Sequence, residues 1–515
     1  MWCRSGTRDD FMSERFKNHP VLRWLWPEDR ARRFLTALAL LFIVKQLLQI
    51  IIVPPFTGHD EVAHFDYIRT IANEHRIPVI PDLAEWREAI EANQPPPGDF
   101  LNKDLYPYCY YSLDWPCYPD VEAFQNMPPR RDTSNSSGLI YPAGWQYAAN
   151  HPPLYYALMT PIYWASEPFG LGMQLRILRA GAIPFGLLAV ISTYAIAHML
   201  FPRRKTIAML AATFVALQPQ LSYEAALVNN DVTVIGVGTL LVALLIYGIR
   251  ERFPRNVTIA CGIALGCAML FKGTSVVFAP VVAVAVIGAF GIRNWRDWVP
   301  IGGSIAAIGF GMVSPWYLFL YRTYGNLNGL QQVSDIQAAW NYANGHEAPS
   351  FFGLLVDGDF IARLWGETWG GFGWRRLPLE NPLLAVIGVV MALCGIGLVL
   401  LGIRAWRSYR SQPRGTVVLG IELWQWWGIL SIAVLTVLGY LAVIQFGTTF
   451  QLAQARYFFA SVPAFSVLLM LGWQTIVPMK LARFGPVVFV GFMLALNVYI
   501  YSAYVLPYWY TGPVR

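Results

Sequence analysis

The chain has 515 residues, 56% hydrophobic and only 13% charged, with mean hydropathy +0.42 and formal net charge +7. Soluble domains carry about 25% charged residues, while here apolar stretches of about 20 residues recur along almost the whole length, which excludes a soluble multidomain enzyme and leaves an all-α, polytopic membrane helix bundle. The basic residues are spread over short loops rather than gathered in one stripe, which excludes nucleic acid as a partner.

Residues 1–33 are polar and rich in Arg and read as a cytoplasmic N-terminal segment. The apolar run 34–53 is too long for a signal-peptide core and has no small-residue cleavage site behind it, so it is expected to be a retained helix that opens a membrane domain over 34–505. Ten further spans are expected at 177–199, 206–223, 232–249, 257–271, 274–291, 299–320, 382–403, 428–446, 457–475 and 485–504, followed by a tail at 506–515. With the N-terminus inside, the inner loops carry RRK (203–205), RERFPR (250–255), RNWR (293–296), four arginines in 404–414, and Lys480 with Arg483, as positive-inside requires. Outside, residues 54–150 hold 14 Asp and Glu against 6 Lys and Arg. The segment 151–165 would invert this pattern if it spanned, and is expected to lie at the outer interface or to re-enter the membrane.

Two outer elements are large. The first, 54–175, contains Cys109 and Cys117, which an oxidising compartment allows to pair or leaves as two thiols. The second, 321–380, carries Trp340, Trp365, Trp369 and Trp374, either interface anchors or, as a group near acids, the walls of a sugar pocket.

Behind the first span stands PPFTGHDEVAHFDYIRT (54–70). A helix starting near Thr57 would put Asp60 and His64 four apart on one face, with Glu61 and His64 three apart. HDEVAH has the wrong spacing for the HExxH zinc signature; a solvated loop helix with Asp60 and Glu61 at its positive end is the plain structural alternative. Further polar residues stand at outer helix ends: Arg176 and Arg179, Asn229, Asn230 and Asp231 in LVNNDVTV, Lys272 in MLFKGTS, and Arg456 in AQARYFFASVP. Ionisable groups there either snorkel, pair or function, and several cations beside carboxylates suit an anionic lipid headgroup next to an acid or base.

The ordered set GHDEVAHFDY, NHPPLYYALMTPIYW, LRILRAG, VNND, FKGTS and ARYFFASVP, spread over 34–475, resembles the GT-C superfamily of polyprenyl-phosphate-dependent glycosyltransferases, including the protein O-mannosyltransferases and the lipid A aminoarabinose transferases, and is most similar to bacterial multi-spanning proteins of the same layout. The resemblance implies a GT-C-like bundle of about 11 spans with large outer loops, in a bacterial inner membrane, whose active site faces the periplasm or exterior. It implies a polyprenyl-phosphate-linked sugar donor and a glycan, lipid or protein acceptor of the envelope. By position the catalytic carboxylate falls on Asp60, with Glu61 as its rival, and Asp231 positions the acceptor or, in metal-dependent members, a divalent metal. Lys272 suits the donor phosphate, with Arg456 a second cation near it. His64, His151, Arg176 and Asn230 complete the candidate substrate-binding set. No complete metal-ligand set is visible, so a divalent ion is an open cofactor and no other is implied. The reading from another class is a transporter or flippase of a lipid-linked or anionic substrate, or a noncatalytic scaffold; a transporter would place charges at mid-depth in paired, broken helices, whereas these cluster at outer ends.

Overall fold

The computed structural model describes residues 29–511 apart from 81–83, 86–87, 90–91, 93, 95–96, 114–116, 118–143, 344–346, 412–416 and 451–453. Most of the expected segment 1–33 and the last four residues of the tail lie outside the described residues. The fold is all-α, the one sheet among the described residues being a pairing of Val417–Val418 with Ile421–Glu422. Among the described residues nine helices are long and apolar enough to cross a membrane, namely Arg30–Ile52, Leu171–Leu200, Asp231–Glu251, Gly273–Phe290, Trp295–Tyr324, Asn381–Ser411, Leu423–Phe450, Ala455–Ile476 and Gly485–Thr511. Two shorter apolar helices, Lys205–Leu217 and Arg255–Phe271, join them. The nine candidate spans fall on nine of the segments expected from hydropathy and the two shorter helices on the other two, and the chain is a multi-pass membrane protein.

The helices that build the site are α1 (Arg30–Ile52), α2 (Glu61–Glu74), α3 (Tyr106–Leu113), α4 (Leu154–Ser166), α5 (Leu171–Ala180), α6 (Ile183–Leu200), α7 (Lys205–Leu217), α8 (Pro219–Glu224), α9 (Asp231–Glu251) and α10 (Arg255–Phe271). Two expected spans are broken. The chain turns at Gly181 between α5 and α6, and the run 206–223 divides at Gln218, which is extended (φ −62°, ψ 122°). Pro219 is the cause, because its ring disfavours α-helical backbone in the residue before it. The carbonyls freed at the end of α7 find side-chain donors: Lys45 Nζ donates to Ala216 O at 2.7 Å and Asn497 Nδ2 to Leu217 O at 2.7 Å.

Small residues let helices in the bundle touch backbone to backbone. A Cβ on Gly397 would lie 2.1 Å from the carbonyl oxygen of Gly472, and one on Gly472 would lie 2.0 Å from that of Cys394. Neither position admits a side chain without the helices moving apart.

The segment expected to lie at the interface forms α4. Its 13 residues reach about 20 Å, short of the roughly 30 Å hydrocarbon core. It packs on α2, buries Tyr155, Tyr156 and Met159, and exposes Leu158 and Trp164. The two long loops meet above this pair. Arg376 donates to Tyr110 O at 2.7 Å, and the Trp374 indole N–H donates to Ser112 O. Cys109 and Cys117 form a disulfide with a Cα–Cα distance of 5.7 Å that closes the chain behind α3.

Candidate active site

The acidic stretch departs from the expected helix. α2 begins at Glu61, and Asp60 precedes it in left-handed backbone (φ 58°, ψ 11°) without capping the helix through its side chain. Asp is among the few residues that tolerate this conformation. α3 holds the turn in place: Asp60 N–H donates to Ser112 O at 2.9 Å, Val62 N–H to Ser112 Oγ at 3.0 Å, and Ser112 Oγ–H to Gly58 O at 3.0 Å. The consequence is that the two neighbouring carboxylates diverge.

Glu61 turns into the protein and is fully buried. Arg179 grips it in bidentate fashion, Nε to Oε1 and Nη2 to Oε2, both at 2.7 Å, and the Val228 and Gly58 amides donate at 3.0 and 3.3 Å. The other guanidinium donors cap the end of α1 at Val53 O and Pro54 O. A carboxylate with four donors and no exposure is a structural strut tying α1, α2, α5 and the loop before α9.

Asp60 turns the other way, into a polar cluster. Its carboxylate accepts from the Tyr147 hydroxyl and from Arg456 Nη2. Arg456, in the turn Ala455–Ser461, also donates from Nε to Gln454 Oε1 at 2.8 Å and lies 5.2 Å from the Tyr457 ring centroid and 6.0 Å from that of Trp374. Asp231 opens α9 and is paired with Lys272, which stands in extended backbone just beyond α10 with its ammonium 5.0 Å from the Tyr457 centroid. Asp60, Asp231, Lys272 and Arg456 are all buried and near enough to act on one another's charge. Burial raises the Asp60 pKa, but the Arg456 charge and the Tyr147 hydrogen bond outweigh it and hold the carboxyl below its ordinary value. Asp60 is therefore ionised at neutral pH.

His64 is in the cluster, one helical turn beyond Asp60, with its backbone N–H donating to Asp60 O at 3.1 Å; its imidazole lies 2.9 Å from the Tyr156 hydroxyl and stacks on His151, ring centroids 5.7 Å apart. Burial drives the His64 pKa down to about 4 and that of His151 well below its ordinary value, so both rings are neutral. Asn230 donates to Phe271 O at 2.9 Å, tying α9 to the end of α10 beside Lys272, while the neighbouring Asn229 accepts from Asp231 N–H at 3.1 Å. Arg176 is half-buried on α5 and takes no part in the cluster's hydrogen bonds or ion pairs; Arg179, one turn on, is the cation that reaches the acidic stretch.

Among the described residues no group of three or more His, Cys, Asp or Glu side chains stands ready for a metal. The two carboxylates nearest to that role each hold a cationic side chain instead. The tryptophans of the second loop also separate. Trp369 is buried against Phe214, Trp365 donates to Leu384 O, the Trp340 side chain lies outside the described residues, and of the three described it is Trp374 that reaches the site, its ring 5.2 Å from that of His59.

Sequence reasoning missed Tyr147, Tyr156, Tyr457, His59 and Glu224. Tyr156 and Tyr457 stand inside the motifs NHPPLYY and ARYFF, and His59 directly precedes Asp60, so proximity to a marked residue was their signal. Tyr147 and Glu224 carried none.

Comparison with known proteins places the chain. The model of the family described as "Predicted membrane protein (DUF2142)" matches residues 42–465. The backbone is similar to ArnT from Cupriavidus metallidurans bound to undecaprenyl phosphate, at 14% identity and TM-score 0.44 over 92% of this chain and 73% of that one. It is also similar to the apo state of ArnT from that organism, at 16% identity and TM-score 0.38 over 85% and 71%. A third likeness is to the Archaeoglobus fulgidus oligosaccharyltransferase in complex with zinc and sulfate, at 13% identity and TM-score 0.41 over 88% of this chain and about half of that one (53%). A search of the curated proteins finds no match.

Proposed function

We propose that this chain, which belongs to the family of predicted membrane proteins DUF2142, is a membrane glycosyltransferase that moves a sugar from a polyprenyl-phosphate donor to an acceptor of the cell envelope. The observation that carries the reading is the meeting of Asp60 and Asp231 with Lys272 and Arg456 in one buried cluster beneath the two long loops. The motif order supports the donor class. The acidic excess of the first loop supports an orientation in which the cluster faces away from the cytoplasm.

In this mechanism an acceptor hydroxyl or amine attacks the anomeric carbon of the donor sugar. The bond from that carbon to the phosphate oxygen breaks, and its electron pair leaves with the polyprenyl phosphate. Lys272 and Arg456 neutralise the charge that grows on the departing phosphate, in a site where water is sparse and such interactions are strong. Asp60 takes the acceptor's proton. A donor phosphate competes with Asp60 for Arg456, so donor binding frees the carboxylate as it is needed. One displacement with one base inverts the anomeric centre. Asp231 holds Lys272 in position, and Tyr457 lies under both cations.

The test is sugar transfer by the purified protein in nanodiscs, with a panel of polyprenyl-phosphate sugars as donors and envelope extracts as acceptors. Transfer from at least one donor is expected. No transfer across the panel, with a folded protein, would overturn the reading.

A further inference from the structure

We infer that a narrow cleft beside the cluster receives the hydroxyl-bearing edge of a neutral carbohydrate, and that Glu224 and His59 recognise it. The name acceptor for that carbohydrate rests on the transferase reading; the binding itself does not.

The cleft is lined by His59, Gln220, Glu224, Glu367, Gln454 and Arg456, with the backbone of Gly371 and Ala455. It shares Arg456 with the cluster but not Lys272 or Asp231. Glu224 is fully buried at the end of α8, and His59 is 6% exposed. Gln220 fixes the cleft from both sides, donating to Glu224 Oε1 at 3.0 Å and accepting from Gly371 N–H of the second loop at 2.8 Å. Asn229 Nδ2 donates to the Glu224 backbone carbonyl at 3.0 Å and reaches the carboxylate Oε2 only at 3.5 Å.

His59 Nδ1 approaches Glu224 Oε1 to 3.0 Å without hydrogen-bond alignment, so a buried ring nitrogen stands beside a buried carboxylate with its hydrogen bond unmade. Leaving a buried polar atom unpaired is costly, so a ligand that completes its hydrogen bond is favoured. A hydroxyl both donates and accepts, and so serves a carboxylate and an imidazole nitrogen together. The charge of the lining argues for a neutral ligand: two glutamates face one arginine, and that arginine is already paired with Asp60. A phosphate or carboxylate would meet repulsion there. The half-exposed Trp374 indole lies beside His59, ring centroids 5.2 Å apart. A flat apolar face next to hydroxyl acceptors is the pairing a sugar offers in return, C–H surface on one side and hydroxyls on its edge. The narrowness admits that edge and leaves the rest of the ring at the mouth.

The experiment is saturation-transfer NMR on the full-length protein in nanodiscs, with methyl α-D-mannopyranoside and methyl β-D-glucopyranoside as probes and mannose 6-phosphate as the charged comparison. At least one neutral glycoside is expected to receive saturation. The signal of the neutral glycosides should fall at least five-fold in Glu224→Gln and in His59→Leu and persist in Lys272→Ala, whereas mannose 6-phosphate, which the cluster cations also hold, should lose signal in Lys272→Ala. Thermal unfolding of each variant establishes folding, and should Glu224→Gln fail to fold, His59→Leu decides alone. No saturation of either neutral glycoside, or a neutral-glycoside signal indifferent to the cleft variants, would overturn the inference. The donor is absent from this measurement, so the two readings fail separately. A protein that binds glycosides in this cleft but transfers nothing retains the cleft and loses the transferase, and a transferase indifferent to Glu224 does the reverse.

Discussion

Asp60 and Glu61 are consecutive residues whose carboxylates point into different surroundings, Glu61 onto Arg179 in the closed interior and Asp60 onto Arg456 in the polar cluster. The left-handed backbone of Asp60 is what parts them. Breaking a buried, hydrogen-bonded ion pair by removing one partner costs about 3–5 kcal/mol, so Glu61→Gln is expected to lower the thermal midpoint strongly and to reduce the yield of folded protein. A Glu61→Gln protein that melts like wild type would refute its role as a strut.

Lys272→Ala leaves the buried Asp231 without its cation and is expected to lower the thermal midpoint, and in the protein that folds to impair use of the donor. Loss of a contact present equally in ground and transition states raises KM, whereas loss of one made to the departing phosphate lowers kcat. Because the ammonium already has Asp231 as its partner in the free protein, the larger effect should fall on kcat. Unchanged kinetics in a folded variant would remove Lys272 from the mechanism.

The buried imidazoles make stability depend on pH. A histidine whose folded pKa is depressed binds its proton more readily when unfolded, so its stabilising contribution is complete above the ordinary value of 6.5 and is lost as pH falls toward about 4. Within that window the slope for His64 approaches about 1.4 kcal/mol per pH unit. The thermal midpoint of wild type should drop between pH 6.5 and pH 4, and His64→Gln, which does not titrate, should flatten part of that drop. A midpoint independent of pH across the window would show that His64 is not held neutral by burial.

The Cys109–Cys117 disulfide lies on the helix that supports the Asp60 turn, since Ser112 belongs to the same α3. Closing a loop with a sequence separation of 8 contributes on the order of 2.5 kcal/mol by chain entropy. Replacement of both cysteines by serine is expected to lower the thermal midpoint and, through the loosened Ser112 contacts, to lower activity beyond the loss of stability. Activity per folded molecule equal to wild type would separate the disulfide from the site.

Most of the bundle was legible because lipid demands long apolar runs, and hydropathy reads those directly. The breaks at Gly181 and Gln218 were not, since the apolar pattern continues through both and only the local effect of Pro219 and the turn at Gly181 divide it. Asp60, Asp231, Lys272 and Arg456 were legible as a set because charge at an outer helix end is costly without a purpose. Their pairing was not: Arg456 is 396 residues from Asp60, and nothing in either neighbourhood says which cation meets which acid. Arg176 was marked for the same reason as Arg179, and the helical phase of α5 turned only the latter inward.

The central claim is that Asp60 is the base of a glycosyl transfer, and the most direct measurement compares wild type with Asp60→Asn in the purified-protein transfer assay. Asparagine keeps the size of the side chain and part of its hydrogen bonding but cannot take a proton. The account predicts a loss of roughly 10²- to 10⁴-fold in turnover in a variant that still folds. Near-normal turnover by folded Asp60→Asn would contradict it.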